Sequence, residues 1–273
     1  MQTGSQQPIG IFDSGIGGLT VANAVSKLLP NEQIIYFGDT AHVPYGDKSK
    51  ELIRSYATTI TNFLLNEKKC KAVVIACNTA SAAAYEILRD TYKGIAPVIN
   101  VIDPMIEAVI ADDEIKKVGV IATKTTIASG VYREKFSRRK SSLQYTELAT
   151  PLLASMIEEK FYNNNISYAV IENYLKDDTL QGIDALVLAC THYPLIKKEI
   201  SNFYKQQVKI FDSAEVVAQK LKLILEREEL AADKKLEEDI FYVSDFTESF
   251  AKTTNIFYGK EIRLELNNIW KNT

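Results

Sequence analysis

Cys77 and Cys190 stand at matching places in two similar stretches of the chain. Ala72-Val73-Val74-Ile75-Ala76-Cys77-Asn78-Thr79 aligns with Ala185-Leu186-Val187-Leu188-Ala189-Cys190-Thr191-His192, 113 residues further on. Each cysteine ends an apolar run and precedes two polar residues, which puts a thiol at the carboxyl end of a buried strand, where open α/β sheets bind ligands. Buried cysteines that merely pack are common. Two in the same setting, each with a polar pair behind it, point to chemistry. A thiol ionises near pH 8.5, so its surroundings can poise one sulfur as thiolate and another as thiol. Two such groups facing one cleft suit a reaction with a proton acceptor on one side of a carbon and a donor on the other, which is inversion of a carbon acid. Asp13 and His192 are the neighbours placed to tune them. A carbon acid beside a carboxylate is far weaker than any side-chain acid, so the site must also stabilise a carbanion and exclude water.

The elements that hold these residues follow from periodicity. Ile9–Asp13 reads as a strand, residues 14–18 as a glycine-rich loop, and Leu19, Ala22, Val25 and Leu29 recur at helical spacing until Pro30. The alternation continues with strands expected at 33–37, 72–77 and 98–102 and helices at 49–66 and 81–92. Beyond Asp103-Pro104 a helix to 111, a strand at 117–122, a helix after Thr125 and a strand at 184–189 are expected. Strands alternating with helices predict parallel sheets covered on both faces, in two α/β units joined by a short crossover near Val98. A second echo sets Ile11-Phe12-Asp13-Ser14-Gly15 against Ile210-Phe211-Asp212-Ser213-Ala214.

Composition narrows the function classes. The 273 residues carry 32 Lys and Arg against 35 Asp and Glu, a net charge of −3, so no global positive field exists to hold nucleic acid or an anionic membrane. The longest apolar runs fall far short of the ~20 residues that cross a bilayer. The opening is polar and its first basic residue is Lys27, unlike a signal peptide, so the expected location is the cytoplasm. Three cysteines in a reducing compartment form no disulfide framework, and without C-x-x-C spacing and with two histidines no zinc site is expected. Cys70 reads as a bystander and His42 as a solvated loop residue. The loop Gly15-Ile16-Gly17-Gly18 invites a dinucleotide, but Thr20 stands where the third glycine belongs and Asp13 would oppose a phosphate. A small carboxylate held by the loop N–H groups is the easier ligand, with Asp13 facing a substrate ammonium or the thiol.

Asp13-Ser14-Gly15-Ile16-Gly17-Gly18, Pro44-Tyr45-Gly46, Ala76-Cys77-Asn78-Thr79-Ala80-Ser81 and Cys190-Thr191-His192-Tyr193-Pro194 resemble, in order and spacing, the motifs of the glutamate racemases, within the cofactor-independent aspartate/glutamate racemase superfamily. The resemblance runs from about Pro8 to about Ala218. It implies an α/β fold of two pseudo-symmetric domains, each a mostly parallel sheet flanked by helices, with the active site in the cleft between them. It further implies a first domain of residues 1–98 plus 209–273 and a second of 99–208. The implied activity interconverts L- and D-glutamate without pyridoxal phosphate or metal, supplying D-glutamate for peptidoglycan. By the same resemblance Cys77 acts on D-glutamate and Cys190 on L-glutamate, with Asp13 and His192 as their auxiliary groups. Ser14, Tyr45, Gly46, Asn78, Thr79, Thr191 and His192 match substrate-contacting positions, as does Asp13. Thr123 and Glu158 match active-site positions more loosely, and near Glu158 the chain has Thr150-Pro151 where relatives have Cys-Pro. The expected partner is the small-molecule substrate, with neither nucleic acid nor membrane, and the expected assembly is a homodimer. The rival readings are a racemase of aspartate or another amino acid, a thiol hydrolase using Cys190, which leaves Cys77 idle, and a non-catalytic amino-acid-binding module.

Overall fold

The computed structural model describes residues 4–246 and 248–270. Residues 1–3 of the polar opening and 271–273, at the two ends of the expected first domain, lie outside the described residues. The chain alternates β1 (Ile9–Asp13), α1 (Leu19–Leu28), β2 (Ile34–Gly38), α2 (Lys50–Asn62), β3 (Ala72–Ile75), α3 (Asn78–Thr91), β4 (Val98–Asn100) and α4 (Ile102–Ile110). It continues with β5 (Lys117–Ala122), α5 (Lys124–Ala128), α6 (Val131–Arg139), β6 (Gln144–Ala149), α7 (Pro151–Glu158), α8 (Asn165–Leu175) and β7 (Ala185–Ala189). Then come α9 (Lys197–Phe203), β8 (Lys209–Asp212), α10 (Ser213–Arg227), β9 (Ile240–Val243), α11 (Glu248–Tyr258) and β10 (Leu264–Leu266).

Two parallel sheets result, one ordered β10-β9-β2-β1-β3-β4 and the other β6-β5-β7-β8. Helices cover their faces, so β1, β3 and β7 are buried from end to end, which is why they read as unbroken apolar runs. Each Val or Ile in β3 contributes about 1.5–3 kcal/mol of transfer free energy on burial. The four-strand order β2-β1-β3-β4 recurs as β6-β5-β7-β8, so β3 corresponds to β7 and the first sequence echo marks a true structural repeat.

The second echo does not. It aligns β1 with β8, but β8 hydrogen-bonds to β7 in register Leu186 with Ile210 and is the counterpart of β4. The expected domain boundary at 208 therefore cuts the smaller sheet: residues 209–212 belong to it, and the return to the larger sheet comes after α10, at β9. Likewise residues 99 and 100 pair with β3 in the larger sheet. The strand expected through 102 stops at Asn100 because its Oδ1 accepts the N–H groups of Ile102 and Asp103 at 2.7 and 2.8 Å and starts α4. Asp212 does the same for α10, accepting Ala214 N–H at 3.2 Å. The helix expected from 81 starts at Asn78, since Cys77 is its N-cap and the sulfur accepts Ala80 N–H at 3.4 Å.

Outside the site, the fully buried Lys71 ammonium lies 2.5 Å from Glu32 and also donates to Ser5 O, while Glu32 Oε1 accepts Ala232 N–H at 2.9 Å. A charge this deep persists only when paired, and the pair ties together four segments of the chain, at Ser5, Glu32, Lys71 and Ala232. No helix among the described residues is long and apolar enough to cross a membrane.

Candidate active site

In a sheet ordered 2-1-3-4 the topology reverses between strands 1 and 3, and the crevice at their carboxyl ends is where ligands bind. The larger sheet puts Asp13 and Cys77 at that point, and the smaller sheet puts Thr123 and Cys190 at its equivalent. The two crevices open into one cavity of about 280 Å³, lined by Ser14, Tyr45, Gly46, Cys77, Asn78, Thr79, Thr123, Glu158, Cys190, Thr191 and His192 among others. Asp13 is fully buried directly behind this wall.

Cys77 sits in an environment that keeps its proton. Burial, then the charge of Asp13, push its thiol up to about 12, against smaller lowering contributions from Ala80 N–H and the Ser14 hydroxyl. Ser14 Oγ lies 3.7 Å from the sulfur. Asp13 is itself raised by burial, an effect only partly offset by His192 and by the N–H groups of Gly18 and Gly15. Those two amides donate to Asp13 Oδ2 at 3.0 and 3.2 Å, so these two N–H groups of the glycine loop serve the protein's own carboxylate. Asp13 Oδ1 has no hydrogen-bond partner among the described residues.

Cys190 has a different company. His192 Nδ1 lies 3.5 Å from its sulfur, and His192 Nε2 lies 2.8 Å from Glu158 Oε1. Burial alone would lower the imidazole, but the Cys190 sulfur and the Glu158 carboxylate outweigh it and hold His192 well above its ordinary value. Burial raises Glu158 in turn, but His192 beside it holds the carboxyl below its usual range. A cation thus stands beside one sulfur and a carboxylate beside the other.

Contacts between the two halves close the cavity. Thr79 Oγ1 meets Thr123 and Thr126 Oγ1 at 3.0 and 3.1 Å, and Thr125 Oγ1 donates to Gly46 O at 2.5 Å. Thr20 Oγ1 donates to Thr191 O at 3.3 Å. Gly17 is required by close approach: a Cβ there would lie 2.5 Å from Thr191 Oγ1 and 2.6 Å from His192 Cε1. Its glycine therefore makes room for the facing Thr191-His192 loop.

A profile of the Asp/Glu/hydantoin racemase family matches residues 19–221. The chain belongs to that family. The glutamate racemase of Chlorobaculum tepidum is 41% identical over 259 residues, covering 94% of each chain. The structure of glutamate racemase from Francisella tularensis in complex with D-glutamate superposes with a TM-score of 0.90 at 38% identity, covering 97% of this chain and 99% of that one. An isoform of glutamate racemase from Bacillus anthracis superposes at 0.91 with 34% identity, covering 96% and 98%.

Other residues around the cavity carry no motif in the sequence. Tyr45 is held by Asp39, a fully buried carboxylate that accepts its hydroxyl at 2.7 Å, Ser244 Oγ at 2.7 Å, His42 Nδ1 at 3.0 Å and Trp270 Nε1 at 3.1 Å. His42, expected in solvent, instead stacks on Tyr56 at 4.1 Å. The last fifty residues, which carry no motif, thereby brace a cavity loop. Thr150, at the departure from the Cys-Pro pattern, is buried and shares a 2.7 Å hydrogen bond with Tyr193 OH. Cys70, buried and pushed by burial up to about 12, packs against Gly10 away from the cavity. No local spacing marks the contacts of Asp39 to Ser244 and Trp270, 205 and 231 residues on, or that of Thr150 to Tyr193, 43 residues on.

Proposed function

We propose that this chain is a glutamate racemase working by two-thiol acid/base chemistry. The observation that carries the reading is the pair of sulfurs at equivalent switch points of two facing sheets, opening into one small cavity, each with its own charged neighbour. In this scheme L-glutamate loses its α-proton to Cys190 acting as thiolate beside His192, while Cys77 delivers its proton to the opposite face. The site is then left with Cys190 protonated and Cys77 as thiolate, the form that D-glutamate needs. Ser14, Asn78, Thr79, Thr123 and Thr191 offer donors to the substrate carboxylates, the Tyr45-Gly46 loop closes the far end, and exclusion of water strengthens each contact.

The same reading has D-glutamate feeding peptidoglycan synthesis in the cytoplasm, and the chain acting as two domains joined at Asn100 and after α10, in a homodimer. It is supported by chain-length similarity to glutamate racemases and tested by following optical rotation of each enantiomer of glutamate and of aspartate with purified enzyme. Decay of both glutamate signals to zero, with aspartate much slower, is expected. Racemisation of aspartate in preference would transfer the reading to the sister activity, and release of an acyl fragment without inversion would replace it with thiol hydrolysis.

A further inference from the structure

Asn78 occupies the first turn of α3, directly after Cys77, and is buried in the cavity wall. Its Oδ1 accepts the hydroxyl of Tyr132 at 2.8 Å, whereas its Nδ2 has no hydrogen-bond partner among the described residues. A buried amide donor left bare inside a cavity costs free energy unless a ligand acceptor completes it. Which end of the amide faces the cavity is decided by the phenol. Burial holds Tyr132 well above its ordinary value, so it keeps its proton. Among the described residues that proton has one acceptor, Asn78 Oδ1. The reverse orientation would bury an undonated hydroxyl and aim an acceptor at the substrate carboxylates.

The phenol is fixed without help from Asn78. Its ring stacks with Phe136 at a centroid distance of 6.4 Å. The helix that carries both, α6, is fastened to α4 by Lys135 and Arg139, 2.8 and 3.0 Å from Asp103. Tyr132 is 2% exposed and does not line the cavity.

We infer that Tyr132 is a positioning residue for substrate binding: from the second half of the molecule it orients the Asn78 amide of the first, so that the Nδ2 donor faces a substrate carboxylate. The inference rests on the reading of glutamate as substrate. Tyr132→Phe removes the hydroxyl alone. It is expected to raise KM for both glutamate enantiomers roughly tenfold, the worth of about one oriented hydrogen bond. kcat should stay within about threefold, because the lost contact serves ground and transition states alike.

The decisive comparison adds Asn78→Ala and the double variant. If Tyr132 acts through Asn78, the double variant has the KM of Asn78→Ala. An unchanged KM in Tyr132→Phe, or the same added penalty in the Asn78→Ala background, overturns the inference. A fall in melting temperature with KM unmoved would show a merely structural role and overturns it equally. The substrate reading is checked separately by wild-type turnover. Should turnover be absent, the same four proteins are compared by the melting-temperature rise that glutamate induces. A wild type that neither turns over nor is stabilised by glutamate overturns the reading and the inference together, whereas a wild type that responds and a Tyr132→Phe variant that matches it overturns the inference alone.

Discussion

Glu158→Gln isolates the charge that holds His192 protonated. The pair is separated by 2.8 Å, with side chains 28% and 7% exposed. A hydrogen bond to a charged group contributes about 1.5–3 kcal/mol, and partial exposure of Glu158 brings the estimate to about 1.5–2 kcal/mol. One pKa unit corresponds to about 1.36 kcal/mol, so the His192 imidazolium should lose its proton roughly one unit lower in the variant. The chain has two histidines, which makes the assay direct: the C2–H resonances of His42 and His192 are followed by proton NMR against pH. In the wild type one resonance should stay in its protonated position well above pH 6.5, and in Glu158→Gln that resonance should titrate earlier.

The linkage signs set the stability window. His192 is raised in the folded state from an ordinary 6.5, so its contribution is complete below about 6.5 and is lost as pH rises through the folded value. Glu158 is lowered from 4.5, so its contribution is complete above about 4.5 and is lost as pH falls through the folded value. The stability difference between wild type and variant should therefore be largest between about pH 4.5 and 6.5, measured by urea unfolding. A wild-type His192 that titrates near 6.5, or a variant in which neither resonance moves, would refute the ion-pair reasoning.

The remaining expectations are direct. Cys77→Ser and Cys190→Ser should each lower racemisation in both directions by about 10²–10⁴, since an alcohol is a poor acid and base near neutrality; optical rotation reads this, and retention of a tenth of the activity removes that cysteine from the scheme. Cys70→Ser should leave turnover unchanged. Gly17→Ala should cost about 1–3 kcal/mol of folding stability by overpacking against Thr191 and His192, read by urea unfolding, and wild-type stability would contradict the close approach.

The parts of the molecule legible in the sequence are those encoded locally. β1, β3, β5 and β7 are continuous apolar runs because both faces are covered, and α1 shows its stripe between a glycine loop and Pro30. The pair Cys77 and Cys190 was visible because a repeat leaves its mark on strands with no solvent face to vary. β6 escaped because its residues are half-buried or exposed and its side chains mix Tyr, Thr and Glu. β8 misled, since Asp212 resembles Asp13 in sequence but matches Asn100 in place and in its capping work. Asp39 and Tyr132 act through partners 231 and 54 residues away, separations that no motif records.

The repeat makes the two thiols geometrically alike, and the site must then make them electrostatically unlike. Two equivalent sulfurs would populate states with both protonated or both ionised, and neither state can remove and deliver a proton in one passage. At matched positions the chain carries Asp13 opposite Ala122 and Thr79 opposite His192, so a carboxylate beside one sulfur helps that thiol keep its proton while an imidazolium stands beside the other. This difference cannot favour one enantiomer at equilibrium, because the equilibrium constant between mirror images is one, and kcat/KM must match in the two directions at every pH. Asp13→Asn tests the argument. Burial remains the larger cause of the high Cys77 value, but the charge of Asp13 is the next, and removing it should let Cys77 ionise at lower pH. The alkaline limb of kcat/KM, which reports the free enzyme, should shift to lower pH by the same amount for L- and D-glutamate. An alkaline limb that stays at its wild-type position would mean that Asp13 does not hold the proton on Cys77.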